Sequence, residues 1–366
     1  MNKNITYITY QTFPGRTANS VQTISSLKYF HREGFKCTLI YPLRNKESSK
    51  NINDLKSFYN FSEDIAVKAT IHPLPFKKIL VFEKYWYILS HILWAYFTVK
   101  KYSKNNEESL FFTRSEWVFY FLSKRRKKVV YECHQLSSMK KILIRSSLKY
   151  PNSRLITLTS FLTEELSSAA SAKILELGSS YDPDFFYSEK DKEKNIVYAG
   201  SFFRFGETRG IETLINNLKN ENNENLKFTF ISPDAESLEL FKEKIKSEKL
   251  NMKFEYFSNL NPREVGAILN KAKVGLLINN DSKHAELYSS PLKYFEYLAS
   301  GLNVVATDLK THRNLPFNEN IIFYDSADIA SFEQSLLIAL NQETNLYNVS
   351  AYSTQSRVKK IINFCS

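Results

Sequence analysis

Short runs rich in β-branched and aromatic residues recur along the whole chain, each followed by a longer segment with helical spacing. This alternation is the strongest constraint on what the chain can become. ITYITY, CTLIY, LFFT, KKVVYE and LITLT occupy the first half; NIVYAG, KFTFIS, MKFEYF, KVGLLIN, NVVAT and IIFY occupy the second. A chain that passes through a helix between strands builds a parallel sheet covered by helices, the α/β class. The rhythm is written twice in 366 residues, more than one ordinary core accommodates, so two domains are expected. Gly, Ser, Pro and charged residues cluster over 176–195, which places the linker there. The expected domains are 1–183 and 184–350. A final helix in 351–366, with Val358, Ile361, Ile362 and Cys365 on one face, should dock on an apolar surface.

Charge is divided unevenly between these halves. Residues 1–183 hold 28 Lys and Arg against 14 Asp and Glu, whereas residues 184–366 hold 22 against 24, so the first half carries all the excess positive charge. An anionic surface or polyanionic partner is expected for that half. Tyr85, Trp86, Trp94, Tyr96 and Phe97, with Lys77, Lys78, Lys100 and Lys101 and the run KRRKK at 124–128, read as an aromatic and basic membrane-contacting surface. The apolar window 79–97 is interrupted by Glu83, Lys84 and His91, so it is not expected to span a bilayer. No signal peptide is expected from the start of the chain, and the widely separated Cys37, Cys133 and Cys365 suggest a reducing, cytoplasmic setting.

Open parallel sheets bind ligands at the carboxyl ends of their strands, and two such domains commonly face each other across a cleft. The stretch SSPLKYFEYLASGLNVVATD, residues 289–308, predicts a helix capped by Ser290 with Pro291 at its first position, stopped at Gly301 before a strand. Lys293 then stands at the positive end of the helix dipole, where an acidic residue is favoured, unless an anion answers it. The helical wheel puts Leu292, Phe295, Leu298 and Ala299 on the core face and Lys293 and Glu296 on an exposed arc. A second anion seat is expected at YAGSFFRFGETRG, residues 198–210, where a strand meets a glycine-rich loop with Arg204 and Arg209 before a helix. In the first half, KKVVYECHQL delivers Glu132 and His134 to the end of a strand, and the loop PGRTANSVQT, residues 14–23, opens a helix expected over Ser20 to Glu33.

These stretches, in this order, resemble family 4 of the retaining glycosyltransferases, a group 1 family with the GT-B fold of two Rossmann-like domains. ANSVQTISSLKYFHREGFKCTLIYP, VVYECHQL and LITLTSFLTEEL resemble its amino-terminal domain; YAGSFFRFGETRGIETLI and SPLKYFEYLASGLNVVATD resemble its donor domain. The last helix resembles the family tail that crosses back to the first domain. The resemblance implies that Glu296 binds the donor ribose, that Arg209 and the displaced Arg204 hold the diphosphate with Lys293, and that Ser289 and Ser290 cradle phosphate. It also implies that Ser20 contacts the donor and that His134 approaches the transferred sugar. The family's other glutamate falls at Tyr288, which leaves Glu286 as its substitute.

The expected activity is transfer of a sugar from a nucleoside-diphosphate sugar, such as a UDP- or GDP-sugar, to a glycan or lipid-linked acceptor in cell-surface polysaccharide synthesis. The reaction is expected to proceed with retention and without a metal or other cofactor. A nucleotide-sugar epimerase and a non-catalytic GT-B partner subunit share the fold and remain alternatives. A nucleic-acid binder would explain the positive charge, yet no helix-turn-helix, zinc or RNA-binding aromatic motif accompanies it, and no nucleic-acid partner is expected. The expected location is cytoplasmic, on the inner face of the cell membrane.

Overall fold

The structure is a computed structural model that describes residues 3–44, 48–72, 83–104, 109–167, 171–189, 191–204, 207–218, 226–247, 250, 252–279, 287, 290–344 and 347–366. The chain divides into two compact units, one formed by Met1–Gly178 with Val358–Ser366 and the other by Ser179–Arg357. The division thus falls at Ser179, ahead of the expected position at 184.

The first unit runs β1 (Asn4–Ile8), α1 (Ala18–Arg32), β2 (Lys36–Leu43), α2 (Ile52–Tyr59), β3 (Ile65–Ile71), α3 (Glu83–Tyr102), β4 (Leu110–Thr113), α4 (Glu116–Lys124), β5 (Val129–Cys133), α5 (Ser138–Leu148), β6 (Ser153–Thr157), α6 (Ser160–Ser167) and β7 (Ile174–Glu176). Its strands form one sheet in the order β3-β2-β1-β4-β5-β6-β7, all parallel. The order reverses between β1 and β4, which is where such a sheet opens a crevice. Ile5, Tyr7, Leu39, Phe112, Val130 and Ile156 from the strands pack with Ile24 and Leu27 of α1. Val358 and Ile361 of the final helix complete the same core.

The second unit runs β8 (Glu193–Ala199), a short antiparallel pair β9 (Phe203–Arg204) and β10 (Glu207–Thr208), α7 (Ile211–Leu218), β11 (Lys227–Ser232), α8 (Ala235–Ser247), β12 (Lys253–Ser258), α9 (Pro262–Leu269) and β13 (Ala272–Leu277). Then follow α10 (Leu292–Ala299), β14 (Asn303–Thr307), the single turn α11 (Lys310–Arg313), β15 (Ile322–Tyr324), α12 (Ile329–Asn341) and α13 (Thr354–Cys365), whose last residues belong to the first unit. The sheet order is β12-β11-β8-β13-β14-β15, again parallel, with its reversal between β8 and β13. Alternation along β8 serves two cores: Ile196 and Tyr198 face α7, α8 and α12, whereas Val197 and Ala199 face α10.

The reversal is held open by a side chain. Strands β8 and β13 pair as far as Val197 and Gly275. Beyond that, the Tyr297 hydroxyl accepts from the Ala199 amide at 3.0 Å and donates to the Leu276 carbonyl at 3.3 Å. A Cβ on Gly275 would come within 2.7 Å of the Tyr297 ring, so glycine makes the room that the ring fills. Gly275→Ala should therefore lower stability by about 1–3 kcal/mol through overpacking, read as a lower urea midpoint with an unchanged slope.

Candidate active site

At the carboxyl end of β8, three elements of the second unit meet: the loop from Gly200, the start of α7, and the first turn of α10. Helix α10 begins one residue later than its sequence suggests. Pro291 is its N-cap, and no side chain caps it. Ser290 is engaged elsewhere: its hydroxyl accepts from the Ser179 amide at 2.9 Å and its carbonyl accepts from the Ser179 hydroxyl at 2.6 Å.

Lys293 does not lie on an exposed arc. Only 8% of it is accessible, because Tyr294 and Tyr297 are buried along with Phe295, Leu298 and Ala299, so α10 is covered nearly all round. Its Nζ has no hydrogen-bond partner among the described residues. The ammonium sits 4.3 Å from the centre of the Tyr198 ring. A Cβ on Gly200 would approach Nζ to 3.0 Å, so the strand-ending glycine leaves space for it. Burial, and then the nearby Arg209 charge, push the Lys293 ammonium well below the usual lysine range.

Arg209 is positioned by a chain of hydrogen bonds. Its guanidinium donates to Asn279 Oδ1 at 2.8 Å, and Asn279 Nδ2 lies 3.1 Å from His312 Nε2. His312 Nδ1 lies 2.8 Å from the Thr307 carbonyl. A carbonyl only accepts, so the proton is on Nδ1, and Nε2 accepts from Asn279. Burial lowers His312 to about 4, which keeps the ring neutral and this polarity fixed. The chain spans the ends of β13 and β14 and aims a fixed cation at the loop. Glu296, one turn into α10, is half-buried. Burial raises its carboxyl from its ordinary 4.5 to about 7, Lys293 opposes the rise and Asp182 adds to it.

In the first unit, His134 directly follows β5, and its Nε2 lies 2.7 Å from Glu132 Oε1. Arg114, directly after β4, donates to the same oxygen at 2.7 Å. Ser20 is a helix residue. It lies in the first turn of α1, buried, with its hydroxyl 3.0 Å from that of the N-cap Thr17. Glu286, Tyr288 and Ser289 lie outside the described residues, as does the side chain of Arg204. The structure thus brings Lys293 within electrostatic reach of both Arg209 and Glu296 and seats His134 on Glu132. Asn279, His312 and Arg114 were not singled out from sequence, because single polar residues at strand ends leave no periodic trace. Among the described residues, no group of three or more His, Cys, Asp or Glu is arranged to hold a metal ion.

Residues 193–342 match the family model described as glycosyl transferases group 1. That match lies within the carboxyl-terminal unit. The whole chain has the GT-B fold, as its likeness to solved glycosyltransferases shows. A glycosyltransferase from Rickettsia africae superposes with a TM-score of 0.68 at 14% identity, covering 100% of this chain and 98% of that one. S. aureus TarM, solved as a variant with fondaparinux, α-GlcNAc-glycerol and UDP, superposes at 0.68 and 12% identity over 100% of both chains. Anabaena HepE, solved with UDP-glucose, superposes at 0.62 and 10% identity over 98% of each. We found no match among curated proteins.

Two pH effects follow for this unit. The depressed Lys293 binds fewer protons folded than unfolded, so its contribution to stability is present above 10.5 and is lost as pH falls through its lowered folded value. Lys293→Met should remove that slope and leave the unliganded protein at least as stable at neutral pH. A loss of about 2 kcal/mol or more by denaturant titration would mean that the amine is already paired. The raised Glu296 has the opposite sign: its contribution is full below 4.5 and is lost as pH rises through about 7. Glu296→Gln should flatten the melting temperature across that window.

Proposed function

We propose that the protein transfers a sugar from a nucleoside-diphosphate sugar to a hydroxyl of a glycan or lipid-linked acceptor. The observation that carries this reading is the buried Lys293 amine, which feels the Arg209 charge and whose Nζ has no hydrogen-bond partner among the described residues. A buried cation is costly unless paired, and a diphosphate supplies the missing charge.

In this reading the anomeric C–O bond to the diphosphate breaks, and its electron pair goes to the departing phosphate oxygen. Arg209, Lys293 and the start of α10 are placed to take up that charge. The acceptor hydroxyl bonds to the anomeric carbon on the same face, giving retention, and its proton passes to the departing phosphate. Glu296 accepts from the ribose hydroxyls and His134 hydrogen-bonds the transferred sugar. Charge neutralisation by side chains assigns no step to a metal. TarM bound to UDP and HepE bound to UDP-glucose show that this fold seats such donors in those proteins.

The acceptor side of the proposal rests on the first unit. Tyr85, Leu89 and Phe97 of α3 are exposed, as are Ile71, Lys100 and Lys101. Lys124 at the end of α4, and Arg126 and Lys128 just after it, are also exposed. Trp94 is a correction, since it is buried and donates to Thr70 Oγ1 at 2.7 Å. Lys77 and Lys78 lie outside the described residues. No helix among the described residues is long and apolar enough to cross a membrane. We infer a peripheral contact with an anionic cytoplasmic leaflet that presents a lipid-linked acceptor.

Calorimetric titration with UDP, GDP and single-stranded DNA tests the donor site. Binding of a nucleoside diphosphate, weakened tenfold or more by Arg209→Ala and Lys293→Met, supports it; binding of DNA alone overturns it. A panel of nucleotide sugars should give slow donor hydrolysis that EDTA does not reduce, whereas an epimeric sugar nucleotide as product would favour the epimerase reading. Vesicles containing anionic lipid should retain the protein at moderate salt, and equal retention by neutral vesicles would remove the electrostatic part.

A further inference from the structure

We propose that Arg114 is a positioning residue that sets both the orientation of His134 and the start of α1, through one buried guanidinium. The inference rests on the reading of His134 as part of the sugar-transfer site. Its geometry lies wholly within the first unit, at the reversal of that sheet between β1 and β4.

All four N–H groups at the end of Arg114 have acceptors. One nitrogen donates to the Asn19 carbonyl at 3.0 Å and to Asn19 Oδ1 at 2.6 Å. The other donates to Gln22 Oε1 at 3.1 Å and to Glu132 Oε1 at 2.7 Å. Asn19 and Gln22 lie in the first turns of α1, which follows β1, while Glu132 lies near the end of β5. The guanidinium, just past β4, therefore ties the start of α1 to the end of β5. Lysine offers three N–H groups from a single point and cannot span these acceptors.

Accessibility rises along the network toward one member. The Arg114 and Glu132 side chains are 4% and 1% exposed, whereas the His134 side chain, sharing Glu132 Oε1, is 27% exposed. A buried ion pair of this kind adds little net stability over apolar packing, because desolvating both charges offsets their attraction. What the pair does supply is a fixed acceptor for a ring that solvent and substrate reach. Glu132 Oε1, which accepts from Arg114, is also the oxygen that faces His134 Nε2, so His134 donates Nε2–H to it and the ring is held with its proton on Nε2. The helix start that Arg114 holds is the same one capped by Thr17.

The test reads the imidazole nitrogens of the six histidines in the full chain by NMR, with His134 assigned through its loss in His134→Asn. Wild type should show the Nε2–H tautomer at His134. Glu132→Gln, close in shape, and Arg114→Lys, which keeps the charge, should both give a tautomer mixture. Turnover should fall between about 10- and 100-fold, with the donor KM and UDP affinity unchanged. The same His134 tautomer in both variants overturns the proposal, and so does an altered tautomer with wild-type turnover. If Arg114→Lys does not fold by circular dichroism, Glu132→Gln decides alone. Wild type that binds no nucleotide would instead count against the sugar-transfer reading, and the tautomer would still report on Arg114.

Discussion

The second unit is organised around an ammonium taken out of water. Keeping Lys293 beneath the end of β8 requires a glycine at 200, an aromatic face at Tyr198 and a helix covered by Tyr294 and Tyr297. It also needs a neighbouring cation that does not swing away, and Asn279 with His312 supplies that constraint for Arg209. These arrangements leave the Lys293 Nζ without a hydrogen-bond partner among the described residues. They make sense as preparation, because charge placed in advance costs no reorganisation when a leaving group develops its own.

The same logic recurs in the first unit with opposite signs. There the buried carboxylate Glu132 is satisfied from behind by Arg114 and turns its acceptor toward a histidine. Each unit thus places its polar machinery at the reversal of a parallel sheet, where neighbouring connections leave in opposite directions and side chains can enter between strand ends.

Much of this was legible before the fold was in view. The β-branched runs located the strands, and the two seats around Arg209 and Lys293 were read from glycine, cation and helix start alone. The environment of Lys293 was not legible. A helical wheel assumes one buried face, and α10 is buried on nearly all sides because its tyrosines carry hydroxyls that find backbone partners, as at Ala199 and Pro316. The cap was misplaced because Ser290 bonds to Ser179, more than a hundred positions away, which no local pattern reports. The start of α1 was read two residues late, because Thr17 caps the helix and draws Ser20 into its first turn.

The route of the chain also decides what can be cut from it. Residues 179–357 are contiguous, so the second unit is a single stretch that a gene fusion could borrow. Its companion is discontinuous, since Val358 and Ile361 belong to the core that also holds Ile5 and Phe112. A fragment ending at Gly178 would bare the apolar surface those residues cover. During synthesis, the first half of the protein must therefore wait for the last turns of the chain before its core is finished.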